Sequence, residues 1–263
     1  MFCVRFAGVL IAIENRYPFV ERLCADYIAD ASPDACGFTV SATSEEIAAE
    51  NDGEGGEFSP AYCESLALYR KICTRMLDYD AFLFHAAIVS HEGRGFAFTA
   101  KSGTGKSTHV AQWMRALGDR VAVINGDKPI LRWKEGSGAD GCRPGAFIAY
   151  GTPYNGKEGW GINASVPLCA VCFIERCEPG EADRLRRLED DGQIVARIMS
   201  QILLPKDPAL ASRQLDLLNR LVTSVPFYVL RCTPTPAAFD AAFKMTLCDY
   251  WGRPITSRRK LRA

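Results

Sequence analysis

Apolar positions come in two spacings along this chain, and the spacing changes every ten to twenty residues. Residues 2–13 form an almost unbroken apolar run that predicts a strand or hairpin, and Phe19, Val20, Leu23 and Ile28 fall at helical spacing within 18–31. A second strand is expected at 37–41. Residues 44–57 then carry Glu45, Glu46, Glu50, Asp52, Glu54 and Glu57 and close on three glycines. That composition predicts a solvated acidic helix end followed by a linker. It divides the chain into a small N-terminal α/β domain at 1–57 and a core domain at 58–263.

The clearest helix is 59–79, where Ser59-Pro60 supplies a cap and a first-turn proline and Leu66, Tyr69, Ile72, Cys73 and Met76 line one face. Strands are expected at 81–89 and 95–100, joined by the turn-rich segment 90–94. A helix follows with Val110, Trp113, Met114 and Leu117 as its buried stripe, ended by Gly118. The remainder reads as strands at 121–125, 129–133, 143–150, 167–175 and 227–232 and helices at 192–203, 209–224 and 235–249. A charged connection is expected at 178–190 and a frayed basic tail at 257–262. Strands alternating with helices over this length give an α/β class. No internal repeat is visible.

Composition changes this picture little. Of 263 residues 48% are hydrophobic and 24% charged, an ordinary globular balance, and Lys+Arg equals Asp+Glu at 31 each. Such neutrality gives no drive towards nucleic acid or an anionic membrane. The apolar start lacks a basic leader, and no run approaches the ~18 apolar residues of a membrane span. The expectation is a cytoplasmic protein without nucleic-acid or membrane partners; homo-oligomerisation is left open. The eleven cysteines are odd in number and scattered, which argues against a disulfide framework. Cys169, Cys172 and Cys177 lie in an apolar strand pattern without a second ligand pair, so they read as core residues rather than a metal site.

The chemistry concentrates at Ala100-Lys101-Ser102-Gly103-Thr104-Gly105-Lys106-Ser107-Thr108, between a strand and a helix. Glycines there let backbone N–H groups curl around a phosphate chain, Lys106 can neutralise it, and the Ser107 hydroxyl can ligate Mg²⁺. The helix N-terminus adds partial positive charge. Asp127, 21 residues beyond Lys106 at the end of the next strand, is placed to complete a metal shell. Lys128, Thr152, Asn155 and Lys157 lie in turns beside these residues and can meet a phosphoryl group or an acidic substrate. His85, within the apolar run FLFHAAIV, is either a satisfied core histidine or, if the hairpin folds it back, a proton-handling group near the γ-phosphate. His109 is expected on a helix surface.

These motifs resemble the HPr kinase/phosphorylase and phosphoenolpyruvate carboxykinase superfamily. The chain is similar in particular to short bacterial carboxykinase-like or HPr-kinase-like proteins that share LALYRKI, FxFTAxSGTGKSTH, INGDKP and GTPxxGKE. Those motifs stand here at 66–72, 96–109, 124–129 and 151–158. The resemblance implies a mixed-sheet P-loop core, ATP in the loop at 100–108, Mg²⁺ (or Mn²⁺) on Ser107 and Asp127, and His85 beside the transferred phosphoryl group. It further implies that Asp127 takes the acceptor's proton. Two departures stand out. The Asp-Asp pair of those families is Gly126-Asp127 here, and the chain is too short to carry a carboxykinase's phosphoenolpyruvate and CO₂ site. The expected activity is therefore ATP·Mg²⁺-dependent phosphoryl transfer to a hydroxyl of a small metabolite or a protein Ser. The alternatives are an ATP-binding sensor and a kinase-like protein of peptide maturation.

Overall fold

A computed structural model describes residues 1–51, 58–136, 145–178 and 180–247. Strands β1 (Phe2–Phe6) and β2 (Val9–Glu14) form a hairpin whose two turn residues, Ala7 and Gly8, both have positive φ (47° and 80°). That geometry matches the right-handed twist of the strands it joins. Strand β3 (Phe38–Ser41) adds to β2 in parallel. Helix α1 (Pro18–Leu23) stops well before residue 31. Beyond it the chain tightens into a 3-10 turn, Ile28 bridges Val4, and the Ala29 N–H donates to the Cys3 carbonyl. The open edge of β1 outcompetes further helix. Helix α2 (Ser44–Ala49) begins with a Thr43/Glu46 capping box, and α3 (Pro60–Arg75) with the Ser59 cap expected for it.

The buried face of α3 (Cys63, Ala67, Leu68, Ile72) packs into one cluster with Val4, Phe6, Ile11, Ile13 and Val40 of the small sheet. The same cluster takes in Ala81, Ile130 and Tyr154 from farther along, so hydrophobic packing runs across the 57/58 boundary. Residues 52–57 and 248–263, where the linker and the basic tail are expected, lie outside the described residues.

Ten elements build the main sheet and its first helix and edges: β4 (Ala81–Leu83), β5 (Ala87–His91), β6 (Arg94–Thr99), α4 (Lys106–Leu117), β7 (Val121–Asn125), β8 (Ile130–Glu135), β9 (Gly145–Tyr150), β10 (Ser165–Arg176), β11 (Arg184–Leu188) and β12 (Phe227–Cys232). The strand order is β4-β8-β9-β10-β6-β5-β7, with β12 on β10 and β11 on β12. The long β10 ties the sheet together, antiparallel to β9 at its start and parallel to both β6 and β12 further on. Helices α5 (Asp191–Ile198) and α6 (Pro208–Ser224) cover one face; α4 and α7 (Ala237–Phe243) cover the other. Alternation along β6 serves both faces. Phe96 and Phe98 join the α4 cluster with Trp113, while Ala97 joins the cluster with α5 and α6.

Three expectations need correction. The run at 81–89 is two strands, because Phe84 bridges Ile202 and the Ala86 N–H donates to the Asp127 carbonyl, taking 84–86 out of regular pairing. The charged connection at 178–190 contains β11, an arginine-rich edge strand whose charges discourage further pairing. The helix expected at 192–203 ends at Ile198, since residues 201–202 pair with the chain around His85 instead.

Candidate active site

The loop after β6 delivers its residues to the N-terminus of α4. Gly103 and Gly105 have φ of +75° and +123°, and among the described residues a Cβ on either would meet no atom within 4 Å beyond its chain neighbours. Glycine is thus needed for the backbone path, and the space beside it is open for a ligand. Among the described residues no side chain caps α4, leaving its first N–H groups free for an anion. Behind the loop, the Arg176 guanidinium donates to the carbonyls of Gly103 and Thr104, so those oxygens point away from the cradle.

A cavity of about 420 Å³ lies in front of this cradle. Lys101, Ser102, Gly103, Gly105, Lys106, Ser107 and Thr108 line one side of it, and His85, Gly126, Asp127, Gly156, Lys157 and Glu158 the other. The strand break at 84–86 places His85. Its N–H donates to the Gln201 carbonyl at 2.7 Å, and the Thr99 hydroxyl lies 2.8 Å from both the His85 carbonyl and Gln201 Oε1. Asn125, fully buried at the end of β7, places Asp127. Its Oδ1 accepts from the N–H groups of Asp127 and Lys128, and its Nδ2 donates to the Thr152 carbonyl and hydroxyl.

Three side chains then converge. His85 Nε2 is 3.0 Å from Asp127 Oδ1, and Lys106 Nζ is 2.7 Å from His85 Nε2 and 3.2 Å from Asp127 Oδ1. Nε2 accepts from Lys106 when unprotonated and donates to Asp127 when protonated, never both at once. Burial raises the Asp127 pKa, but the His85 hydrogen bond and the Lys106 charge outweigh it and bring the carboxyl down to about 2. Burial lowers the Lys106 pKa, partly offset by Asp127.

Among the described residues no group of three or more His, Cys, Asp or Glu stands ready to hold a metal. A Mg²⁺ ion bridging a nucleotide needs few protein oxygens, and the Ser107 hydroxyl with a carboxylate that is ionised at neutral pH suits it. Asp127 is not the only acid here. Glu158 lines the same cavity, and Gly156 lies between the two: a Cβ there would stand 3.1 Å from Asp127 Cβ and 3.6 Å from Glu158 Oε2. Gly126 cannot carry a side chain, since its Cβ would come within 2.7 Å of the Asn155 carbonyl oxygen. The loop that excludes an acid at 126 brings one in at 158.

Sequence reasoning passed over Glu158, Asn125 and Arg176; Glu158 and Asn125 stood within quoted motifs, as the last residue of GTPxxGKE and the second of INGDKP, and Arg176 in neither. Of the residues it proposed, Lys157 lines the cavity and is exposed, and Thr104 turns to a neighbouring one. Ala100 is buried where β6 ends. Thr152 is fully buried and donates to the Lys128 carbonyl, and Asn155 bonds the Gly159 carbonyl within its own loop, so neither lines the cavity in front of the glycine loop. Lys128 opens onto a different cavity.

His109 is not on a surface. It is 3% exposed, its Nε2 accepts from Trp113 Nε1 at 3.0 Å, and burial holds its pKa down to about 4. The neutral ring therefore carries its proton on Nδ1, which has no partner among the described residues. His109 and Gln112, whose Oε1 is also unpartnered, line a second cavity of about 430 Å³. That cavity shares Gly103, Gly105 and Thr108 with the first.

Among the described residues no helix is long and apolar enough to cross a membrane. No curated protein matches the chain. The solved structure of the Hpr(Ser) kinase/phosphatase from Coxiella burnetii is similar over 63% of this chain and 90% of its own, at 10% identity and a TM-score of 0.34. Residues 65–241 match the family described as SynChlorMet cassette protein ScmC, which covers the loop at 100–108, Asp127 and Glu158, and the chain belongs to that family.

Proposed function

We propose that this protein is an ATP·Mg²⁺-dependent phosphotransferase. The observation that carries the reading is the convergence of Lys106, His85, Asp127 and Glu158 on a cavity floored by an open glycine cradle and a bare helix N-terminus. Phosphoryl transfer needs positioning and charge neutralisation more than covalent chemistry, and these groups provide both. The second cavity supports a nucleoside beside the phosphates, since it adjoins the loop and has polar side chains in its wall. Bound Mg²⁺ would offset the charge of the phosphates, with Ser107, Asp127 and Glu158 as its protein oxygens.

The roles divide by chemistry. A carboxyl with a pKa of about 2 is a poor proton acceptor at neutral pH, so Asp127 serves as ligand and counter-charge. His85 is the group that handles the acceptor's proton. The test is calorimetry with MgATP, followed by ADP release in the wild type and in Asp127→Asn. Micromolar MgATP binding and a loss of about 10²–10³-fold in turnover are expected. No binding by the wild type would end the reading. The family's description as a cassette protein favours, as a second reading, an acceptor supplied by co-encoded proteins, a peptide under maturation included.

A further inference from the structure

His85 lines two cavities. One is the phosphate cavity; the other, of about 260 Å³, lies among α3, β4, the Lys128 turn and the segment that follows α5. We propose that this smaller cavity is the acceptor site and takes a small monoanionic hydroxy acid, its carboxylate on Lys128 and its hydroxyl at His85. The proposal rests on the phosphotransferase reading.

Charge selects the anion. Lys128 has no carboxylate within ion-pairing distance among the described residues, whereas Arg70 is spent in a two-point pair with Glu50 (2.7 and 2.9 Å). The pair cancels, which among the described residues leaves Lys128 as the unopposed positive charge in the cavity wall. The turn that carries this lysine is held rigidly, for the Lys128 carbonyl accepts from both the Tyr69 and Thr152 hydroxyls at 2.7 and 2.8 Å. Size selects a small molecule: the volume is below the roughly 300 Å³ where pockets for drug-sized ligands begin. Leu66, Leu83 and Ile202 make part of the remaining wall apolar, which suits the carbon skeleton of a small acid.

Position selects the reaction. The acceptor's hydroxyl oxygen forms a bond to the γ-phosphorus of ATP while the bond from that phosphorus to the β–γ bridging oxygen breaks. ADP leaves with that electron pair, and the hydroxyl proton passes to His85 Nε2 once the Lys106 ammonium has turned from that nitrogen to the phosphates. Gln201, whose carbonyl anchors the His85 backbone, also lines this cavity, so the proton acceptor and the acceptor site are built from one hydrogen-bonded unit.

The test uses the full chain with MgATP and four probes, glycolate, L-lactate, D-glycerate and uncharged glycerol, reading ADP formation. At least one acid is expected to raise the rate tenfold or more over glycerol. Lys128→Met should raise that acid's KM tenfold or more with the MgATP Kd within twofold, and Lys128→Arg should recover part of the loss. The assignment is overturned if the wild type binds MgATP but no acid exceeds glycerol, or if only a serine-containing peptide stimulates. It is also overturned if Lys128→Met lowers kcat with KM unchanged. A wild type that fails to bind MgATP brings down the parent reading and this one with it.

Discussion

His109 is buried and Asp127 half-buried, yet their pKa values fall for opposite reasons. Asp127 is held charged by His85 and Lys106 against its burial; His109 is held neutral by burial itself. The sign for His109 follows directly. Its unfolded value is near 6.5 and its folded value about 4, so the unfolded chain binds the extra proton first. Its contribution is complete above the unfolded value and drains away as pH falls towards the folded one. Urea unfolding should therefore show the wild type losing about 2 kcal/mol between pH 7 and pH 5 through this residue. His109→Gln, which can still accept from Trp113, should flatten that loss; an unchanged pH slope would refute it. That Lys106, Ser107 and Asp127 meet around one cavity was legible in the sequence, from residue type and motif. His109 was not, because a histidine two residues past Ser107 on a helix can face either way until the packing of Phe98 and Trp113 decides.

Elements show where local pattern fails. The stretch FLFHAAIV is apolar apart from His85, so its spacing does not mark the break at 84–86; the break is made by distant partners, the Asp127 carbonyl, Gln201 and Ile202. Without it His85 would stay in a ladder. The glycine-rich loop at 151–159 was visible as a loop, but not that its backbone would close over Gly126. This closure makes a sharp prediction. Restoring an acid with Gly126→Asp forces a Cβ to within 2.7 Å of the Asn155 carbonyl oxygen, a backbone atom that cannot swing aside. Tm should fall by about 5 °C, with no gain in MgATP affinity. A variant that melts as the wild type does and binds MgATP more tightly would show that the loop yields. By contrast Glu158→Gln, at a position the fold tolerates, should lower turnover by about tenfold or more and leave Tm unchanged.

At the scale of the whole molecule, the three-stranded sheet and the nine-stranded sheet are joined by α3, whose buried face belongs to the cluster of the first while its Tyr69 hydroxyl reaches the Lys128 turn of the second. A chain beginning at residue 58 would expose that face. Each of its large apolar side chains is worth about 1.5–3 kcal/mol of burial, and several such losses rival the ~5–15 kcal/mol that holds a domain folded. Such a chain should be recovered aggregated, checked by its soluble fraction and by gel filtration; a soluble, cooperatively melting product would show the two parts to be separable. Finally, the grip of Arg176 on the Gly103 and Thr104 carbonyls bears on kinetics. A loop whose oxygens are already turned back has met its ordering entropy during folding, before any phosphate arrives. Nucleotide association should then be limited by encounter, and cutting the Arg176 tether should slow arrival more than it hastens departure.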